Sequence, residues 1–236
     1  HIPYTVNQYY ADDILHIGKN SFAKNGIILD INYENLDING TIRYSPFTQI
    51  KSDIMGPFKF FPMECRHTII SMQHKIYGTL CVNGDPYIFN DGTGYIEGDS
   101  GRSFPSSYSW AHCNKWQNEA GDCSIMASIA KIPFAGLRFW GCIAVIWLNG
   151  REYRLATYKG VKIKKRTRQD IELTQGNMRL SIHVPEHTGH SLKAPDSGEM
   201  KRTIHESAAV RARFLFQLNG QTLIDRWSDL ASYEFI

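Results

Sequence analysis

The chain is punctuated by turn residues roughly every 8 to 12 positions, and the runs between them are short, apolar or alternating. That is the rhythm of a β-sandwich or barrel, and few segments hold a helical period. Gly26 to Asn32 and Asn35 to Tyr44 read as strands, with Asn39-Gly40 as a hairpin turn that also accounts for the sequon Asn39-Gly40-Thr41. His67 to Gln73 and Lys75 to Val82 read as a second pair. Asn83-Gly84-Asp85-Pro86 is a turn, Tyr87 to Phe89 resumes the strand, and Gly92, Gly94, Gly98 and Gly101 form a glycine-dense stretch before Phe104-Pro105. Ser124 to Lys131, Arg138 to Leu148, Glu152 to Tyr158 and Val161 to Lys165 make a meander that turns at Asn149-Gly150. Ile171 to Thr174, Arg179 to Val184, Thr203 to Arg213 and Phe214 to Asp225 complete it. Isoleucine outnumbers leucine 26 to 14, and 12 Tyr, 12 Phe and 5 Trp point the same way, towards strands. No repeat of propeller or solenoid length is found.

With 236 residues the chain suits one large all-β domain or two small ones. The least strand-like stretch, Pro105 to Asp122, sets the expected boundary, giving an N-terminal domain 1–110 and a C-terminal domain 111–236. The net charge, 26 − 23 = +3, is too small to imply nucleic acid as a partner. The longest apolar run, Phe139 to Leu148, is closed off by Arg138 and Arg151 and falls short of the roughly 18 residues of a membrane span. His1-Ile2-Pro3-Tyr4 has neither an initiator Met nor a signal-peptide layout, so the true start is expected to be missing. Cys65, Cys81, Cys113, Cys123 and Cys142 are odd in number, lack a CxxC pair and lie in apolar surroundings. They are expected to be reduced thiols in a cytoplasmic protein.

Several motifs are weak. Gly98-Asp99-Ser100-Gly101 and Ala111-His112-Cys113 resemble serine-protease segments, but their order is reversed and too close together. Gly92-x-Gly94-x-x-x-Gly98 lacks the βαβ unit of a dinucleotide site. His183, His187 and His190 have a spacing that a metal could gather, yet Pro185 and Gly189 describe an exposed loop, and no metal is expected. The cluster Lys159, Lys162, Lys164, Lys165, Arg166 and Arg168 alternates with Val161 and Ile163 as a solvated edge strand would. Its functional alternative is attraction to an anionic membrane surface, should the ligand be a lipid.

Gly92 to Pro105 is the most informative segment. On an extended strand Tyr95, Glu97 and Asp99 share one face, and Gly94, Ile96 and Gly98 the other. Two carboxylates on one face raise each other's proton affinity, and an apolar cavity raises it further, which would leave one able to act as a general acid. Phe104, Tyr108 and Trp110 would supply π faces for a cationic centre. The plainer alternative has Glu97 and Asp99 facing water or pairing with Arg102.

Together with its surroundings this segment resembles the tocopherol cyclase family, which is related to carotenoid hydratases and other double lipocalin-like barrel proteins. The matching blocks are Gly26-Ile27-Ile28-Leu29-Asp30-Ile31, Met55-Gly56-Pro57-Phe58, Phe61-Pro62-Met63-Glu64-Cys65-Arg66-His67, Ser71, Gly94-Tyr95-Ile96-Glu97-x-Asp99-x-Gly101-x-Ser103-Phe104-Pro105, Trp110, Asn114, Ala130-x-Ile132-Pro133, Leu192-x-Ala194-Pro195, Met200 and Glu206-Ser207. Family members commonly carry Lys and Trp where this chain has Gly98 and Ser100, so an aromatic of the expected pocket is missing. They also begin with a strand-rich segment that has no counterpart before Tyr9. The resemblance implies an all-β fold of two lipocalin-like antiparallel barrel or sandwich domains, the first lacking its opening strands. It implies acid-initiated alkene protonation and ring closure of a prenylated hydroquinone to a chromanol, without cofactor. Asp99 is then the acid, Glu97 its partner, and Glu64 with His67 a second polar group. Tyr95, Phe104, Tyr108 and Trp110, with Asn114 and Met63, would hold the hydrophobic small molecule. A non-catalytic lipocalin-like carrier is the alternative, and peripheral membrane contact would suit either.

Overall fold

The computed structural model describes residues 8–118, 122–134 and 136–236. The His1 to Tyr4 start and residues 119–121 of the expected boundary lie outside them. Strands dominate: β1 (Gln8–Ala11), β2 (Ile14–Ile17), β3 (Asn20–Ala23), β4 (Gly26–Tyr33), β5 (Leu36–Tyr44), β6 (Cys65–Val82), β7 (Asp85–Gly101), β8 (Tyr108–Cys113), β9 (Cys123–Phe134), β10 (Leu137–Leu148), β11 (Arg151–Ala156), β12 (Lys162–Arg166), β13 (Asp170–Gln175), β14 (Met178–His183), β15 (His190–Asp196), β16 (Glu199–Leu218) and β17 (Gln221–Phe235). Among the described residues there is no α-helix, only 3-10 turns at Gly56–Phe60 and Thr157–Lys159, and no helix long and apolar enough to cross a membrane. One sheet runs β1 to β7 in chain order; the other runs β11-β10-β9-β8-β17-β16-β14-β13-β12, with β15 on β16. The fold is therefore all-β with two antiparallel sheets.

The chain packs as two units, residues 1–48 with 73–95, and residues 49–72 with 96–236. The sheets change over between Gly101 and Tyr108, whereas the units interleave because the long hairpin β6–β7 contributes to both. In the first unit the described strands form a meander in which β4 and β5 alternate between half-buried and exposed residues, and Asn20, Ile42 and His74 are the buried side chains among its described residues. Asn39-Gly40 is not a turn here. Gly40 lies mid-strand with φ +142°, and a Cβ there would sit 2.1 Å from the Thr79 carbonyl oxygen, while one on Gly78 would sit 2.0 Å from that of Thr41. The two glycines let β5 and β6 approach at a distance no side chain permits. The turn falls instead between Tyr33 and Leu36.

The second unit's sheet curls until its ends meet. Gln175 accepts from the Ala156 N–H at 2.9 Å and donates to the Arg154 carbonyl at 3.0 Å, so one side-chain amide spans the seam between β11 and β13. Inside, alternate residues such as Ile125, Ala127 and Ile129 on β9 and Phe214 and Phe216 on β16 are fully buried with Leu173, Leu180 and Tyr233, and Trp116 packs with them. This interior is packed with side chains. The expected turns at Asn83-Gly84 and Asn149-Gly150 are present, and Asn219-Gly220 makes a third, each with positive φ at both positions as a two-residue hairpin requires. The break expected between Arg213 and Phe214 is absent because β16 runs straight through it.

Candidate active site

The second unit holds a cavity of about 360 Å³, and it lies on the outer face of the curled sheet. Strand parity decides this. On β9 the core takes Ile125, Ala127 and Ile129, while Ser128, Ala130 and Ile132 line the cavity. Met55, Phe58 and Met63 come from the segment before β6, and Cys65, His67, Glu97 and Asp99 from β6 and β7. Phe104, Tyr108 and Trp110 add aromatic wall, with Phe104 meeting Tyr108 edge-on at 6.2 Å.

His67 is held between two carboxylates. Its Nδ1 donates to Asp99 Oδ1 at 2.9 Å and its Nε2 lies 3.1 Å from Glu97 Oε2; the three side chains are 11%, 29% and 22% exposed respectively. Burial opposes a charge on the ring, but hydrogen bonds and attraction from Asp99 and Glu97 outweigh it, and the pKa is pushed up to about 10. The imidazole is thus an imidazolium at neutral pH. Glu97 also accepts from Trp110 Nε1 at 3.2 Å, and Asp99 from the Cys65 thiol at 3.7 Å. Burial and the Asp99 charge keep that thiol protonated, pushing it up to about 12.

A second acidic pair faces the same cavity. Glu206 on β16 and Glu234 on β17 are cross-strand partners, and both line the wall. Between Ser207 and Val210 three steps on β16 oppose two on β17, a bulge that sends Glu206 to the cavity and Val210, Ala212 and Phe214 to the core. Burial raises the Glu234 pKa to about 7, against the Tyr108 hydroxyl that donates to it and with the Glu206 charge behind it. The same contact and burial hold the Tyr108 hydroxyl protonated. The cavity therefore carries one ion-bridged trio and one carboxyl that keeps a proton near neutrality.

Of the expected site residues, the cavity gathers Asp99, Glu97, His67, Met63, Phe104, Tyr108 and Trp110. Three fall elsewhere. Glu64 precedes Cys65 and points to the opposite, exposed side, its carbonyl accepting from Arg102 N–H at 2.9 Å. Tyr95 shares the parity of Glu97 but lies one rung further along β7, in the first unit, and Asn114 lies beyond the end of β8; neither lines the cavity. Gly98 and Ser100 are exposed on the other face of β7, so side chains there would not fill the pocket. Glu234 was not legible because no motif marks it, and it reaches Glu97 only through the pairing of β17 with β8. Glu206, Met55 and Phe58 sit in blocks already matched to the tocopherol cyclases, which was the signal available for them.

The remaining motifs disperse. His183 Nδ1 pairs with Asp170 at 2.7 Å, and His187 packs edge-on against Tyr233 at 4.9 Å. In the basic cluster, β12 is an edge strand from which Arg166 turns inward over the Trp140 and Phe235 rings at 4.4 and 4.5 Å.

No protein-family model matches the chain, and no curated protein matches it in sequence. Among solved structures, kievitone hydratase from Nectria haematococca superposes with a TM-score of 0.52 at 14% identity, covering 94% of this chain and 70% of that one. An AttH candidate from Nitrosomonas europaea gives a TM-score of 0.48 at 10% identity over the same shares. At such identity the hydratase likeness concerns the fold, and what it establishes is that this chain has a lipocalin-like all-β architecture.

Proposed function

We propose that the cavity binds a neutral, isoprenoid-bearing molecule and starts an addition across its carbon–carbon double bond by protonation. The observation that carries this is the Glu206–Glu234 pair on an otherwise largely apolar wall, with Glu234 retaining its proton up to about pH 7. Four lining carboxyls against His67 and Lys193 disfavour fatty acids and prenyl diphosphates, whose negative charge would be repelled. Glu234 gives its proton to the alkene, and a tertiary cation forms. The Glu97–His67–Asp99 trio carries one net negative charge and, with the Trp110 and Tyr108 rings, stabilises that cation. A nucleophilic oxygen then bonds to the cationic carbon and passes its proton to Asp99; Asp99 releases that proton to solvent and Glu234 takes one up from solvent, which resets the site with no net change in protons. This gives Asp99 the acceptor's part instead of the donor's, since it already receives hydrogen bonds from His67 and Cys65.

If the nucleophile is the ligand's own phenol, the product is a chromanol, as in the tocopherol cyclases that the motifs resemble. If it is water, the product is a tertiary alcohol, the class of reaction that the name of the hydratase neighbour suggests. Incubation with a phytyl hydroquinone, with products read by mass spectrometry, distinguishes the two. Glu234→Gln is expected to lower kcat by about 100-fold or more, and Asp99→Asn by a comparable factor. Turnover that survives Glu234→Gln refutes the assigned donor. The cavity's apolar bulk alone also suits a carrier; a lipid that co-purifies, with no product from any prenyl quinol, would establish that reading instead.

A further inference from the structure

The apolar wall of the cavity continues outward to the surface. Phe58 and Phe139 line the cavity, and Phe58 also meets Phe134 at 6.1 Å and Phe61 at 6.5 Å. Phe61 packs edge-on to Phe134 at 5.3 Å. Beyond these rings Phe60, on the 3-10 turn Gly56–Phe60, is 78% exposed, and Leu137, paired with Phe134 at the β9–β10 tip, is 75% exposed. A lone exposed apolar residue is ordinary, but two adjacent tips joined to a ligand-sized apolar cavity are not.

The charged residues of these two segments are mostly cationic. Residues 55–66 and 131–140 carry Lys59, Arg66, Lys131 and Arg138 against the single carboxylate of Glu64. Lys59 sets its ammonium 5.0 Å from the Phe60 ring, and Arg66 reaches the Phe61 carbonyl at 3.4 Å. Apolar tips on segments rich in cations match a lipid bilayer, where rings enter the acyl boundary and ammonium groups meet phosphates. A second copy of this chain would bring the same four cations face to face and be repelled. The basic cluster near β12 lacks this pairing of features, since Val161 and Ile163 pack inward against the core.

We infer that the Gly56–Phe60 turn and the β9–β10 tip dock this protein on an anionic lipid surface, with the Phe58–Phe139 wall of the cavity turned towards the acyl layer. Binding is read without turnover, so the inference stands or falls separately from the proposed reaction. The test is sedimentation of the chain with phosphatidylcholine vesicles, with and without phosphatidylglycerol, at low and high salt. Binding is expected to require the anionic lipid, to weaken with salt, and to fall by about tenfold or more in both F60S/L137S and K59E/R138E. Neither Phe60 nor Leu137 lines the cavity, and thermal melting checks that the variants fold; if the first does not, the charge reversal alone decides. The inference is overturned if the wild type ignores anionic vesicles, if a folded variant binds them undiminished, or if the substitutions abolish a dimer in place of vesicle binding.

Discussion

The two units use the same period-two alternation and end with different interiors. In the first, the inward positions of β4 and β5 are mostly half-buried, and Asn20, Ile42 and His74 are its buried side chains among the described residues. In the second, the sheet curls on itself and both faces of its central strands are occupied, one by the packed core and the other by the cavity. Alternation alone specifies which residues share a face; what then covers that face depends on curl, closure and bulges, which lie outside the pattern.

The largest effect should come from the closed interior. Phe214→Ala is expected to cost about 3–5 kcal/mol and lower Tm by about 10 °C, because the curled sheet cannot collapse around the void. The contrast between the units breaks if that substitution costs no more than an exposed one. Gly40→Ala tests the first unit at its tightest point: a methyl group against the Thr79 carbonyl should cost about 2 kcal/mol in chemical denaturation, and a neutral result would show that β5 and β6 can part there.

Acidity sharpens the comparison, since the groups concerned all belong to the second unit. Glu234 and His67 both hold protons in the folded protein that the unfolded chain would release, so the folded state binds more protons and stability falls as pH rises. For Glu234 the stabilisation is complete below its unfolded value of 4.5 and is lost as pH passes about 7; for His67 it is complete below 6.5 and lost as pH passes about 10. Thermal melts across this range should show both declines, with Glu234→Gln flattening the lower one and His67→Gln the upper. An unchanged slope in either variant contradicts the corresponding assignment. The smallest effect is expected from Ile88→Ser at a 76% exposed position of the first unit, within about 0.5 kcal/mol by urea titration.

Much of this was legible beforehand, and the failures are physical. Asn83-Gly84 and Asn149-Gly150 read correctly because positive φ at both positions leaves few alternatives. Asn39-Gly40 has the same composition, yet there the glycine serves strand contact, and no local signal separates the two uses. His67 to Gln73 and Lys75 to Val82 read as two runs although one strand continues through them, since a long strand contains polar residues of the kind that also separate short ones. At the site, the i, i+2 spacing of Glu97 and Asp99 on one strand was informative, whereas His67, on the facing strand of the hairpin, was marked only by the family resemblance. Glu206 and Glu234 join them only by tertiary pairing and a bulge, and distance along the chain hid them.

Placing the cavity on the outside of the curled sheet has a consequence for how such a protein can change. On β9 alternate positions face different surroundings, Ile125, Ala127 and Ile129 the packed core and Ser128, Ala130 and Ile132 the cavity. Neighbouring residues thus answer to different physical demands, and the chemistry of the pocket can be rewritten one position in two while the interior stays as it is. Such a chain can follow an architecture over 94% of its length and still keep only 14% of a neighbour's residues.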